Sequence, residues 1–379
     1  MGNKEKTKAM LKQMQSIIAL VIIFVIASII CVKDGKNNFL DIRNLMNVLR
    51  AVSENGIIAI GMTLILILGD IDLSVGSVVG LISTGCAYLM VMSGFGFVPA
   101  VVTSLVLGAL FGLFNGLCIT KLKLQAFIVT LASMNIARGL ARFWANGIGI
   151  PLAYGEEEGM APPAFEVLQM RIGGIVPVPA IIFIVLLVIF QIILAKTRFG
   201  RQIYAIGGNR QAAYLSGIKV DRIKIYAFML CAMLSSVAAM IHAAQISQGG
   251  PNEGQGYELN AVAACAIGGT SLAGGKGTII GTLVGALILG MLDNVMGLKG
   301  INSNLQLVVK GENTDFIGVD GFDGEVAGRN MVDRGILKAT VQSPDFGALA
   351  YEKAVEILKG EKVDREITII PEMITGEEK

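Results

Sequence analysis

Apolar blocks recur along the first 300 residues, each roughly 16–24 residues long, about what a helix needs to cross hydrocarbon. They lie at about 17–32, 45–69, 74–93, 98–119, 126–146, 176–195, 223–246, 258–273 and 277–297, nine in all. Glu54 and Asn55 break the second, and the eighth is short and rich in Ala and Gly, so either reads as partly re-entrant. After Gly311 the pattern changes. It predicts a strand at 316–319, a helix at 325–334, a strand at 338–342, a helix at 346–359 and a strand at 366–370. The fold class expected is an α-helical polytopic membrane protein of about nine spans over residues 1–310, with a small α/β tail over 311–379.

Composition supports the division. At 54% hydrophobic and 16% charged, a chain of 379 residues is too apolar for a soluble protein. Residues 1–310 carry 23 Lys+Arg against 14 Asp+Glu, whereas 311–379 carry 8 against 15. The 47 glycines suit membrane helices, where small residues permit close approach. Isoleucine at positions 29 and 30 sits where signal cleavage needs a small residue, so the first block is read as an uncleaved helix.

With the N-terminus inside, alternation gives the inner side the N-terminal lysines, Lys121, Lys123 and the cationic stretch 196–224. The outer side receives 147–175, with Glu156, Glu157, Glu158 and Glu166. That asymmetry is expected of cytoplasmic loops. Nine spans place the tail outside the cytoplasm.

Few residues offer chemistry. The five cysteines form no CxxC and read as small buried hydrophobes; the single histidine, His242, has no histidine or cysteine nearby to share a metal, so no metal site is expected. Arg138 and Arg142, one turn apart in the fifth span, either mark a polar pathway or face other helices and snorkel to the outer interface. No span carries a clear set of buried Asp, Glu or His for a proton relay. The stretch 274–278 is not a phosphate loop: Thr270 and Gly277 stand where a Walker A needs Gly and Ser or Thr. The chain has no ATP site of its own.

The longest basic loop contains Gly207-Gly208-Asn209-Arg210-Gln211-Ala212-Ala213-Tyr214-Leu215-Ser216-Gly217-Ile218. Asn209 is a good N-cap, and Gly217 suits the left-handed position past a helix end with Ile218 folding back. A short capped helix between two spans fits docking to a separate motor.

Several motifs resemble the ribose/xylose-type permease family of ABC importers. They are Gly69-Asp70-Ile71-Asp72-Leu73-Ser74-Val75-Gly76-Ser77, Phe127-Ile128-Val129-Thr130-Leu131, Ile136-Ala137-Arg138-Gly139 and Tyr204-Ala205-Ile206-Gly207-Gly208-Asn209. Gly254-Gln255-Gly256-Tyr257-Glu258-Leu259 and Ala266-Ile267-Gly268-Gly269-Thr270-Ser271-Leu272 belong to the same set. The resemblance runs from about residue 40 to about 310. It implies a multi-pass protein of the bacterial inner membrane with no enzymatic activity and no nucleic-acid partner. It also implies a second permease subunit (homo- or heterodimer), a cytoplasmic ATPase that binds ATP-Mg, and an extracytoplasmic sugar-binding protein. Gly208, Asn209, Arg210, Ala212, Ala213, Leu215, Ser216 and Gly217 then resemble the ATPase-coupling region. Asp72, Asn115, Thr130 and Asn135 are candidates for the translocation path, against the plainer readings that Asp72 and Ser74 cap the third span and the others bond between helices.

The family pattern has a final apolar helix after a stretch like 305–311, and here the tail replaces it. Gly318-Val319-Asp320-Gly321, Lys338-Ala339-Thr340-Val341-Gln342-Ser343-Pro344-Asp345 and Ala354-Val355-Glu356-Ile357-Leu358-Lys359-Gly360 resemble the C-terminal end of periplasmic sugar-binding proteins. That resemblance makes Asp320 and Gln342 candidate partners for sugar hydroxyls. An ion-coupled secondary transporter, a non-transporting membrane receptor and a non-functional fusion product remain as alternatives.

Overall fold

The computed structural model describes residues 3–33, 36–301, 339–342 and 372–375, with side chains over 15–32 and 36–301. By contact the chain forms two units, Met1–Gly300 and Ile301–Lys379.

The first unit is helical. Its helices are α1 (Asn3–Ile30), α2 (Ile42–Ile67), α3 (Val75–Val91), α4 (Phe97–Lys121), α5 (Ala126–Trp144) and a single turn α6 (Pro163–Glu166). There follow α7 (Val178–Lys196), α8 (Arg198–Gly208), α9 (Arg210–Leu215), α10 (Val220–Ile246), α11 (Tyr257–Ile267) and α12 (Ile279–Leu298). Every expected span contains a helix. Five of the described helices, α2, α4, α7, α10 and α12, are long and apolar enough to cross a membrane.

Of the two blocks read as partly re-entrant, one is corrected and one is borne out. Glu54 and Asn55 do not break α2, which runs unbroken for 26 residues because Glu54 finds buried partners on other elements. The eighth block is helical only over the 11 residues of α11. At 1.5 Å per residue that is about 16 Å, roughly half the hydrocarbon thickness.

The missing half is supplied by irregular chain. Residues 247–256 leave α10 through a left-handed Ser247 and descend along α3. Gly249 abuts Ser83 and Ala87, the carbonyls of Pro251 and Glu253 lie over Gly80, and Gly254 meets Gly76. From Ala87 to Gly76 the descent is about 16 Å. The short strand Gln248–Gly249 pairs antiparallel with Ile150–Pro151, which fastens this segment to the 147–175 connection. That connection also packs into the bundle, with Phe165 edge-on to Phe97 at 6.3 Å.

Helices α2 and α10 are the centre, 83% and 72% buried over their most apolar windows, against 22% for α4. Yet α4 is tightly held. Its Gly108, Gly112 and Gly116, one turn apart, face α10 so closely that a Cβ on Gly112 would stand 2.7 Å from Met229 Cα, and one on Gly116 2.8 Å from Ile225 Cα. Contact between backbones replaces the hydrophobic drive that lipid removes.

In the tail, strand Ala339–Gln342 forms where one is expected and pairs antiparallel with Glu372–Thr375. The other expected tail elements, at 316–319, 325–334, 346–359 and 366–370, and Asp320 with them, lie outside the described residues.

Gly112→Val is expected to cost about 1–3 kcal/mol by overpacking, read as a lower melting temperature in detergent. Gly139→Ala, on a helix face where an added Cβ meets nothing within 4 Å, is expected to leave it unchanged.

Candidate functional site

Three polar constructions stand out in the first unit. The first is the loop helix. Thr197 caps α8 by accepting from Gly200 N at 3.3 Å, and Asn209 caps α9 by accepting from Ala212 N at 2.9 Å. The far end of α9 closes as expected: Gly217 has φ of 82°, its N–H donates to Tyr214 O, and Ile218 N–H donates to Ala213 O. Ser216 Oγ donates back to Ala212 O at 2.9 Å.

Of the eight predicted coupling residues, Gly208, Asn209, Arg210, Ala212, Leu215, Ser216 and Gly217 are exposed. Ala213 is turned inward, 4% exposed. The most exposed apolar side chains here are Tyr214 and Leu215, at 66% and 75%. Tyr214 was not anticipated, although helical spacing puts it beside Leu215. Between α9 and the start of α10 lies a cleft of about 580 Å³ lined by Lys121, Tyr214, Leu215, Ile218, Asp221 and Arg222. The amphipathic α8, also unanticipated, rests on the 268–278 hairpin. Tyr204 Oη donates to Gly277 O at 2.6 Å, and burial raises its phenol above the usual range, so it remains a donor. The hairpin in turn donates from Gly275 N to Ile67 O at 2.8 Å.

The second construction is the buried turn 68–74. Asp72 accepts from both Ser74 N–H at 2.9 Å and Ser74 Oγ at 2.6 Å, and Ser74 Oγ receives Asn115 Nδ2 at 3.0 Å. The expected capping of the third span is therefore corrected. Asp72 fastens the turn ahead of α3, and the Ser74 hydroxyl makes no cap bond. Thr130 Oγ1 lies 3.4 Å from Ile71 O and Ser133 Oγ donates to Thr130 O. Asp72, Asn115 and Thr130 thus converge. Asn135 does not; it is exposed on another face of α5 and donates to Leu131 O. Beside the turn Lys224 and Asp70 form a buried ion pair at 2.6 Å.

The third construction gathers from separate elements a part-buried acidic and histidine set that no one span carries. His242 Nδ1 lies 2.7 Å from Glu54 Oε2 and its Nε2 lies 2.9 Å from Glu253 Oε2. Tyr257 Oη donates to Glu54 Oε2 at 3.1 Å. Next to this set Arg138 donates to the carbonyls of Pro251 and Glu253 at 2.7 and 2.6 Å, and Arg142 donates to Asn252 Oδ1 at 3.1 Å. Both arginines hold the irregular segment, Arg138 half-buried and Arg142 exposed.

Gln342 ends its strand opposite Glu372.

Residues 44–312 match the family described as "Branched-chain amino acid transport system / permease component". The ribose import permease protein RbsC of Escherichia coli (strain K12) is 41% identical over 309 residues, covering 82% of this chain and 93% of its own. RbsC of Bacillus subtilis (strain 168) is 41% identical, covering 78% and 88%. The xylose transport system permease protein XylH of Haemophilus influenzae is 34% identical, covering 79% and 93%. No solved structure matches the chain.

Lys224→Met is expected to strand a buried carboxylate and cost about 3–5 kcal/mol, with Asp70→Asn in the same chain restoring part of the loss. Melting of the purified single and double variants checks both outcomes.

Proposed function

The chain belongs to the permease family of the branched-chain amino acid transport type, and on that premise we propose that it is the membrane-spanning subunit of an ATP-driven monosaccharide importer of the ribose/xylose/galactose class. The observation that carries this reading is the end-to-end likeness to ribose and xylose permeases over more than three-quarters of the chain. Such a subunit forms and breaks no covalent bond. It offers the sugar a path that opens to one side at a time, and ATP-Mg is bound and hydrolysed by a separate cytoplasmic ATPase. A second permease subunit, homo- or heterodimeric, and an extracytoplasmic sugar-binding protein complete the assembly.

The exposed cap helix supports the coupling role. Arg210, Ala212, Leu215, Ser216 and Gly217, with Tyr214, present a firm surface to the ATPase, while Gly208 and Asn209 set the helix start. Ala213 acts from beneath, packed into the bundle. Asp72, Asn115 and Thr130, gathered at the buried turn, are the path candidates the geometry favours; Asn135 would meet sugar only from the outer face of α5.

In this reading the chain passes the inner membrane of a bacterium nine times, with the N-terminus cytoplasmic. The eighth crossing is composite, residues 247–256 followed by α11. Residues 1–310 are the permease domain. Residues 311–379 are a partial binding-protein-like domain on the extracytoplasmic side, where Asp320 and Gln342 would face sugar hydroxyls.

The Glu54–His242–Glu253 set favours one rival, an ion-coupled secondary transporter. Association with an ATPase separates the two. Leu215→Asp with Tyr214→Asp changes exposed side chains only, so the chain is expected to fold and be made at normal level. Loss of a contact worth about 2 kcal/mol or more should reduce ATPase co-purification on the order of 30-fold. Sugar-stimulated ATP hydrolysis across a panel of ribose, xylose and galactose should fall with it. Undiminished co-purification removes the docking site, and uptake independent of any ATPase favours the rival. Added protease is expected to clip the tail in intact spheroplasts; full protection until lysis overturns the orientation.

A further inference from the structure

Irregular chain 247–256 begins and ends on regular elements, but its own middle is held by side chains. Arg138 takes two of its carbonyls, and His242 takes the Glu253 carboxylate. The histidine joins this segment, through Glu253, to α10, on which it stands, and to α2, through Glu54.

Its chemistry is dictated by what it faces. Each ring nitrogen lies within hydrogen-bond distance of a carboxylate oxygen, and an ionised carboxylate only accepts. Two acceptors require two N–H donors, hence an imidazolium. A neutral ring would set one bare nitrogen against a carboxylate oxygen at under 3 Å. Charge balance points the same way. Around the ring α2 brings Glu54, the segment brings Glu253 and α11 brings Tyr257, with Glu258 further along at Gly76. Helix α5 brings Arg138 and Arg142, while α3 approaches with Gly76 and Gly80 and no charge. Glu54 and Glu253 are the two carboxylates in contact with the ring, so the imidazolium offsets their negative charge. In a poorly solvated interior an unbalanced charge is strongly disfavoured.

We propose that His242 is a positioning residue, and that its imidazolium pins residues 247–256, and so the start of half-helix α11, to α2 and α10. Removing one ring proton leaves a repulsive contact in place of a charged hydrogen bond and loosens the segment, which Arg138 and the Ile150–Pro151 pairing still hold. The inference goes beyond sugar import and does not depend on which solute is carried.

The chain has a single histidine, so its ring can be read without assignment. In the full chain labelled with ¹⁵N-histidine in lipid nanodiscs, both ring nitrogens are expected to carry protons at pH 7. Glu54→Gln and Glu253→Gln are each expected to move the titration midpoint down by about one pH unit or more. A neutral ring with one protonated nitrogen in the unsubstituted chain at pH 7 overturns the proposal. Hydrogen exchange supplies the second measurement. After correction for base catalysis, protection of amides 247–256 should fall about tenfold once the ring loses its proton, 1.4 kcal/mol per tenfold. His242→Gln should show the low protection already at pH 7. Protection that stays constant through deprotonation, or that His242→Gln leaves intact, equally overturns it.

Discussion

A backbone amide or carbonyl away from water must find a partner inside the protein, and the architecture turns on how this chain meets that demand where it is not helical. Residues 247–256 cannot pair their own groups as a helix does. Two of their carbonyls are met by one guanidinium, Arg138, and an edge of the segment is met by the strand Ile150–Pro151. The 268–278 hairpin solves the same problem by donating to Ile67 O, one of the acceptors left open at the end of α2. Irregular chain survives at membrane depth only when enclosed in this way.

The buried charges follow from the same demand. Arg138 is needed for carbonyls, Glu253 and Glu258 stand near its charge, Glu253 is shared with His242, and His242 and Tyr257 both meet Glu54. Asp70 and Lys224 form a separate, self-contained pair beside the turn 68–74. Neither group is a source of large net stability, since desolvation offsets much of the attraction. Their contribution is specificity, because each carboxylate has a limited set of places where it can be buried.

What the sequence disclosed was local. Apolar blocks located the long described helices of the first unit but not α6 or α8, and the cap logic at Asn209 and Gly217 held down to individual hydrogen bonds. The gathering of Asp72, Asn115 and Thr130 was foreshadowed only as a set of polar residues in apolar surroundings. What stayed hidden was pairing across the chain. Glu54 and His242 are 188 residues apart, and Arg138 and Pro251 are 113 apart. No periodicity encodes such partners, so Glu54 read as an interruption and the two arginines as candidates for snorkelling. The shortness of α11 agrees with the partly re-entrant reading of the eighth block, and only its end, at Ile267 rather than 273, differs. Apolar composition continues past Ile267 through Leu272, but Gly268 and Gly269 end the helix, with Gly269 at φ of 88°.

The glycine face of α4 has a mechanical consequence. Where two helices touch through their main chains, neither can rotate or slide by a side-chain step without collision, so α4 and α10 behave as one welded strut. Gly61 against Cys231 Cα welds α2 to the same strut, and Gly268, Gly281 and Gly285 weld α11 to α12. Two backbone-packed blocks result, α2–α4–α10 and α11–α12, joined by residues 247–256 and by the Thr63–Cys265–Thr282 contact. Helix α8 touches both blocks, meeting Ile67 of α2 through Gly207 and the α11–α12 hairpin through Tyr204.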